Sequence, residues 1–128
     1  MANLEHINIT VADPHQTAAL FDTLFGWHIR WEGPTAAGDG YMIHVGSTDS
    51  YVSLYKPDGG VSGDASDGRW SVKGGMNHIG VVVDDFAKTR KAVEAAGYTV
   101  HGEPVYEPGR RFYFFEDNGI EIEVVSYA

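Results

Sequence analysis

The stretch MNHIGVVVDD, Met76 to Asp85, decides how the chain reads, because LEHINITVAD, Leu4 to Asp13, is written in the same pattern. Laid over one another, they set His78 on His6, Val83 on Val11 and Asp85 on Asp13 at a constant offset, 78 − 6 = 72. Downstream, LFDTLFGWHI lies over VEAAGYTV with Gly26 on Gly97, an offset of 97 − 26 = 71, so only one residue of drift accumulates. One module is written twice. Successive side chains of a strand point to opposite faces. Ile7, Ile9 and Val11 therefore oppose His6, Asn8 and Thr10, and Ile79, Val81 and Val83 oppose His78, Gly80 and Val82. Both histidines are expected on the face turned away from a helix-covered core.

Working outward, strand one runs from about Leu4 to Val11 and ends at Asp13-Pro14, an acidic cap followed by a proline suited to a first helical turn. The helix His15 to Phe25 carries apolar residues at Ala18, Leu20, Phe21, Leu24 and Phe25, and Gly26 stops it. WHIRWEG, from Trp27, and the pair YMIHVG (Tyr41 to Gly46) and SYVSLYKP (Ser50 to Pro57) read as three more strands. Asp58 to Gly75 is rich in Gly, Ser and Asp, has no periodic apolar face and reads as a linker, with Trp70 suggesting that part of it docks. The second copy repeats the order. Its strand spans Asn77 to Val83, its helix Phe86 to Ala96, and a further strand Tyr98 to Gly102. After a Glu107-Pro108-Gly109 turn come strands Arg110 to Phe115 and Ile120 to Ser126, joined by the hairpin turn Asp117-Asn118-Gly119. Each half reads βαβββ.

Bulk composition narrows the function. The 128 residues are 43% hydrophobic and hold no cysteine, enough apolar surface for a core without disulfide staples or thiol chemistry. The net charge is −9, and the nine Lys and Arg residues are scattered, so the basic footprint that a nucleic acid demands is missing. No apolar run approaches the roughly 18 to 20 residues that span a bilayer, and MANLEH does not open like a secretory leader. The expectation is a cytoplasmic protein with no membrane or nucleic-acid partner.

The repeated strand-opening histidines and the ending RRFYFFEDNGIEIEVV, Arg110 to Val125, resemble the vicinal oxygen chelate superfamily. That group includes glyoxalase I, type I extradiol ring-cleaving dioxygenases, fosfomycin-resistance transferases and bleomycin-resistance proteins. The resemblance implies an α+β fold of two tandem βαβββ modules, about 3–57 and 76–127, joined by the Gly-rich linker at about 58–75. Their mixed sheets would form a cup within a single glyoxalase-like domain over residues 1–128. It also implies a homodimer.

For chemistry, the resemblance implies a ligand glutamate about four residues after the turn glycine, which from Gly119 selects Glu123 and leaves Glu121 at the rim. His6, His78 and Glu123 then make a two-histidine, one-carboxylate set for a divalent ion such as Fe, Mn, Ni or Zn, with positions left open for a chelating substrate. Ser53 stands where Glu123 stands in the other copy, so the extra acidic ligand of glyoxalase I is missing. Tyr113 and Glu123 keep the ten-residue spacing of the extradiol signature. Asp117 replaces its proline, and Val105 and Tyr106 occupy the stretch where its catalytic histidine belongs, His101 lying farther upstream. Tyr113 is the candidate acid/base group. Asn8, Ser53, Tyr55 and Arg111 are expected to bind substrate, with Arg110 and Arg111 also able to pair with Glu103, Glu107 or Glu116. Trp27, Trp31 and Trp70 read as core or subunit-contact residues, and His15, His28, His44 and His101 as surface residues or supports of the site. Two functions remain open: a metal-dependent enzyme on a small oxygenated substrate, dioxygenase-like or glyoxalase/lyase-like, and a metal-free ligand-sequestering protein of the bleomycin-resistance type.

Overall fold

The computed structural model describes residues 1–63, 65, 68–103 and 109–128, and the chain divides into two compact units, Met1–Ser62 and Gly63–Ala128. In the first unit the elements are β1 (His6–Thr10), α1 (Pro14–Phe25), β2 (His28–Pro34), β3 (Gly40–Gly46) and β4 (Tyr51–Pro57). The Asp13 side chain accepts from the Gln16 N–H at 3.2 Å, and Pro14 opens the helix at a position that has no hydrogen bond to lose. Gly26, at φ 70°, turns the chain out of the helix and donates its N–H to Asp22 O at 2.8 Å. Thr17, Ala18, Phe21 and Leu24 form the buried stripe of α1, which packs on β3, β4 and β2. Burying a ring such as Phe21 contributes about 2–3 kcal/mol.

The first sheet has the order β1-β4-β3-β2, with β1 parallel to β4 and the other pairs antiparallel. Ile43, Val45, Val52 and Leu54 point to the buried side with α1, leaving His6, Asn8, His44, Tyr51, Ser53 and Tyr55 on the other face. Between β3 and β4, Gly46 is obligatory: a Cβ there would lie 2.3 Å from Ser50 O.

The second unit holds β5 (Ile79–Val82), α2 (Phe86–Ala95), β6 (Arg110–Phe115) and β7 (Glu121–Ser126). Asp85 caps α2 by accepting from the Lys88 N–H at 3.0 Å, repeating the role of Asp13. The strand order is β5-β7-β6, with β5 parallel to β7 and β6 antiparallel to it. Phe112, Phe114, Ile122 and Val124 are buried with Val81, Phe86 and Val93. The hairpin turn closes on Glu116, whose carboxylate accepts from the N–H groups of Asn118 (2.7 Å) and Ile120 (3.0 Å). Burial raises the Glu116 pKa above the ordinary carboxylate value against the pull of these donors.

Register makes the repeat explicit. Asn8 pairs with Ser53 as Gly80 pairs with Glu123, and His44 pairs with Ser53 as Tyr113 pairs with Glu123. Ser53 thus occupies the Glu123 position, as expected, and His44 matches Tyr113.

Two expectations are corrected. The strand expected over Tyr98 to Gly102 is a single bridge, His101 with Tyr113, because Gly102 turns away at φ 61° and the Tyr98 N–H bonds back to Val93 O. The strand expected to begin at Asn77 begins at Ile79, so His78 stands just ahead of it. Of the tryptophans expected in the core or at a subunit contact, Trp31 and Trp70 are 49% and 66% exposed, whereas Trp27 packs edge-on to Phe21 at 5.4 Å. Val105 and Tyr106, and Glu107 and Pro108 of the expected turn, lie outside the described residues. Among the described residues, no helix is long and apolar enough to cross a membrane.

Candidate metal centre

Alternation along β7 sends Ile122 and Val124 into the core and turns Glu121 and Glu123 to the open face of the second sheet. There Glu123 meets His78, whose Nε2 lies 2.9 Å from Glu123 Oε2. The other carboxylate oxygen, Oε1, accepts from Arg111 Nε at 2.8 Å. Tyr113, directly across the ladder from Glu123, presents its ring edge-on to His78 at 5.6 Å. The second module therefore brings His78, Glu123, Tyr113 and Arg111 together.

An imidazole and a carboxylate are donor types that a divalent ion takes. Two donor atoms held at right angles about 2.1 Å from one ion stand about 3 Å apart. The 2.9 Å between His78 Nε2 and Glu123 Oε2 is an ordinary hydrogen-bond length and also falls near that separation. Arg111 fixes Oε1 and so orients the carboxylate from behind, as a supporting group should. Arg111, expected to bind substrate, has its guanidinium engaged by Glu123, with a further 3.4 Å contact from its terminal nitrogen to the Tyr127 hydroxyl. Among the described residues, no ion pair joins Arg110 or Arg111 to Glu103 or Glu116, and Glu107 lies outside them. Arg110 lies over the Phe86 ring at 4.2 Å, Glu103 pairs with Arg90, and Glu116 holds the hairpin turn.

Glu121 is not at a rim. Its side chain is 9% exposed, with Oε2 held by His101 Nε2 at 2.8 Å and Oε1 facing Arg69 at 3.5 Å. His101 in turn stacks on Phe115 at 5.1 Å and on Tyr113 at 6.1 Å. The sequence contains no spacing signal for His101, because its partner is twenty residues away on another strand.

His6 lies in the first unit at the start of β1, exposed, with Nδ1 2.8 Å from Glu5 Oε1 and its ring stacked on Tyr51 at 4.8 Å. A histidine steadied through Nδ1 by a carboxylate presents Nε2 to a ligand, the arrangement metal-binding histidines commonly adopt. The His6 hydrogen bond is also the main reason that the Glu5 pKa is lowered. Glu5 adjoins His6 in the repeated stretch, and that adjacency was its only available signal. His44 stacks on the same Tyr51 ring at 4.5 Å and contacts Trp31 at 5.1 Å, while Arg30, beside the register shift in β2, lies over Tyr51 at 4.6 Å. Burial, then the charges of His6 and Arg30, lower the His44 pKa.

Of the other expected substrate-binding residues, Asn8 and Ser53 face one another across β1 and β4. Ser53 is 2% exposed, and its hydroxyl has no hydrogen-bond partner among the described residues. The Tyr55 hydroxyl donates to Asp39 O at 3.3 Å. Within each unit, among the described residues, no three His, Asp or Glu side chains gather as a metal cluster.

Comparison with known proteins agrees with this architecture. A Frankia glyoxylase/bleomycin resistance protein/dioxygenase domain superposes with a TM-score of 0.77 at 16% identity, covering 98% of each chain. The fosfomycin resistance protein FosX of Listeria monocytogenes, complexed with Mn(II) and a sulfate ion, gives a TM-score of 0.72 at 17% identity over 100% of this chain and 92% of that one. An integron cassette protein from Vibrio cholerae gives 0.69 at 24% identity over 100% and 97%. No curated protein sequence matches. The model of the Glyoxalase/Bleomycin resistance protein/Dioxygenase superfamily matches residues 3–124, and the chain belongs to that superfamily.

Proposed function

We propose that the protein is a metal-dependent enzyme of the vicinal oxygen chelate type acting on a small oxygenated substrate. The observation that carries this reading is the pair of donor atoms, His78 Nε2 and Glu123 Oε2, held 2.9 Å apart on an open sheet face with Arg111 orienting the carboxylate. His6 supplies the third ligand through Nε2, from the same chain or from a second copy. A divalent ion bound there would act as a Lewis acid toward adjacent substrate oxygens. Tyr113 supplies a phenol at those oxygens, as a hydrogen-bond donor or as the group that moves a proton. Ser53 leaves the first module without a second carboxylate, which favours ring cleavage or lyase chemistry over the proton abstraction of glyoxalase I. Manganese is the first ion to try, since the Listeria relative is described with Mn(II).

The competing reading, a metal-free protein that sequesters a ligand, draws on the same contacts, because Arg111 and His78 already engage both oxygens of Glu123. Elemental analysis of protein purified without a histidine tag separates the two. About one divalent ion per site, lost in His78→Ala, Glu123→Ala and His6→Ala, is the expected result. Wild-type protein that stays metal-free after incubation with iron, manganese, nickel and zinc would rule out the enzyme reading.

A further inference from the structure

Tyr41 and Lys56 pair across β3 and β4, each two residues from a position buried in the core, Ile43 and Leu54. Alternation puts both on the helix side of the first sheet, the opposite face from His6, Asn8 and Ser53. There, with Pro57, Asp58, Gly59 and Gly60, they line a cavity of about 530 Å³. That volume lies in the range of small-molecule sites. The walls are tied in place. The Tyr41 hydroxyl donates to Glu32 Oε1 at 2.8 Å, and the same oxygen lies 2.8 Å from His15 Nε2. With its proton committed there, Tyr41 offers the cavity its ring. The Asp58 N–H donates to Asp39 O at 2.9 Å, and the Gly60 N–H to Pro57 O at 3.1 Å. Gly59 and Gly60 stand at φ 85° and 86°, and a Cβ at either would meet nothing within 4 Å. The turn therefore demands glycine for its backbone, and it leaves the lip of the cavity open.

The charges select the occupant. Lys56 and Asp58 are exposed, and among the described residues neither joins an ion pair. An ammonium only donates and a carboxylate only accepts. A simple anion at Lys56 would meet the like charge of Asp58, and a simple amine at Asp58 would meet that of Lys56. A ligand that carries both charges satisfies both groups, and the rings of Tyr41 and Pro57 leave apolar surface for the rest of it. We propose that this cavity binds a small zwitterion, an α-amino acid with an apolar side chain, its carboxylate at Lys56, its ammonium at Asp58 and its side chain against Tyr41 and Pro57. The site is independent of the metal reading, since it lies on the other face of the sheet.

The test is a two-dimensional ¹H–¹⁵N NMR titration of the full-length chain with L-phenylalanine. Saturable shifts are expected at the amides of Tyr41, Lys56, Asp58, Gly59 and Gly60, with a Kd on the order of 1 mM. Phenylpropionate, which lacks the ammonium, and phenethylamine, which lacks the carboxylate, should each bind about threefold more weakly or worse. Lys56→Met and Asp58→Asn change exposed groups, and each should weaken L-phenylalanine by a similar factor while amides far from the cavity keep their wild-type positions. Three results would overturn the proposal: no saturable shift at these amides up to about 20 mM, equal affinity for the singly charged analogues, or shifts centred instead on Asn8, His44 and Ser53. Binding that is unchanged in both variants would overturn it as well.

Discussion

Removing Glu123 should expose how firmly the open face is tied together. The perturbation is Glu123→Leu, which keeps a strand-compatible side chain and deletes the acceptor of both Arg111 and His78. With the charges about 4 Å apart at an effective dielectric near 20, their gross attraction is about 4 kcal/mol. Much of that is offset by the cost of withdrawing both groups from water, so the pair taken as a whole contributes little. Deleting one partner is different, because the other stays desolvated without the opposite charge it faced. Full burial would make that loss about 3–5 kcal/mol. Arg111 is 16% and Glu123 12% exposed, which discounts it to about 2–3 kcal/mol. The assay is urea unfolding of wild type, Glu123→Leu, Arg111→Leu and the double variant at pH 7 without added metal. Glu123→Leu should be less stable by about 2–3 kcal/mol, and the double variant should recover to within about 1 kcal/mol of wild type. Single losses below about 0.5 kcal/mol that simply add in the double variant would place the pair in the weak, solvent-screened class and refute the claim that Arg111 holds the carboxylate in position.

Two further outcomes follow from the first unit. Ser53→Ala removes a buried hydroxyl that has no hydrogen-bond partner among the described residues, and should raise stability by about 1 kcal/mol or leave it unchanged; a loss above about 1 kcal/mol in urea unfolding would mean that the hydroxyl is satisfied in solution. The lowered pKa of His44 means that the unfolded chain takes up that proton at a higher pH than the folded one, so stability should fall as pH drops below the ordinary value of 6.5. NMR titration should place the His44 imidazole below 6.5, and His44→Gln should flatten the stability slope there; a midpoint at or above 6.5 would contradict the burial argument.

Much of this molecule is determined locally and is therefore legible in the sequence. The offset of 72 between His6 and His78 predicts two strand–helix units, and the caps Asp13 and Asp85 and the stop at Gly26 fall where short-range hydrogen bonding demands. Alternation along β7 puts Glu121 and Glu123 on one shared face, because a period of two is a property of the extended backbone itself. The equivalence of Ser53 and Glu123 also follows, since register is fixed once the apolar faces must coincide.

What only tertiary structure decided is which partner each long or charged side chain finds. Alternation gives a face but no address, and a guanidinium on its flexible stem reaches several acceptors from one position. Arg111 therefore reads equally well as a substrate clamp or a surface ion pair until β6 and β7 align it with Glu123. Glu121 reads as a rim residue from its distance to the turn, yet burial depends on what packs above it, here Arg69 and His101 arriving from distant parts of the chain. The shortened strand at His101 has the same origin: YTVHG carries strand-like composition, but Gly102 turns away after one paired residue. Local pattern fixes backbone and face because those depend on neighbours in sequence, whereas ion pairs and burial depend on neighbours in space.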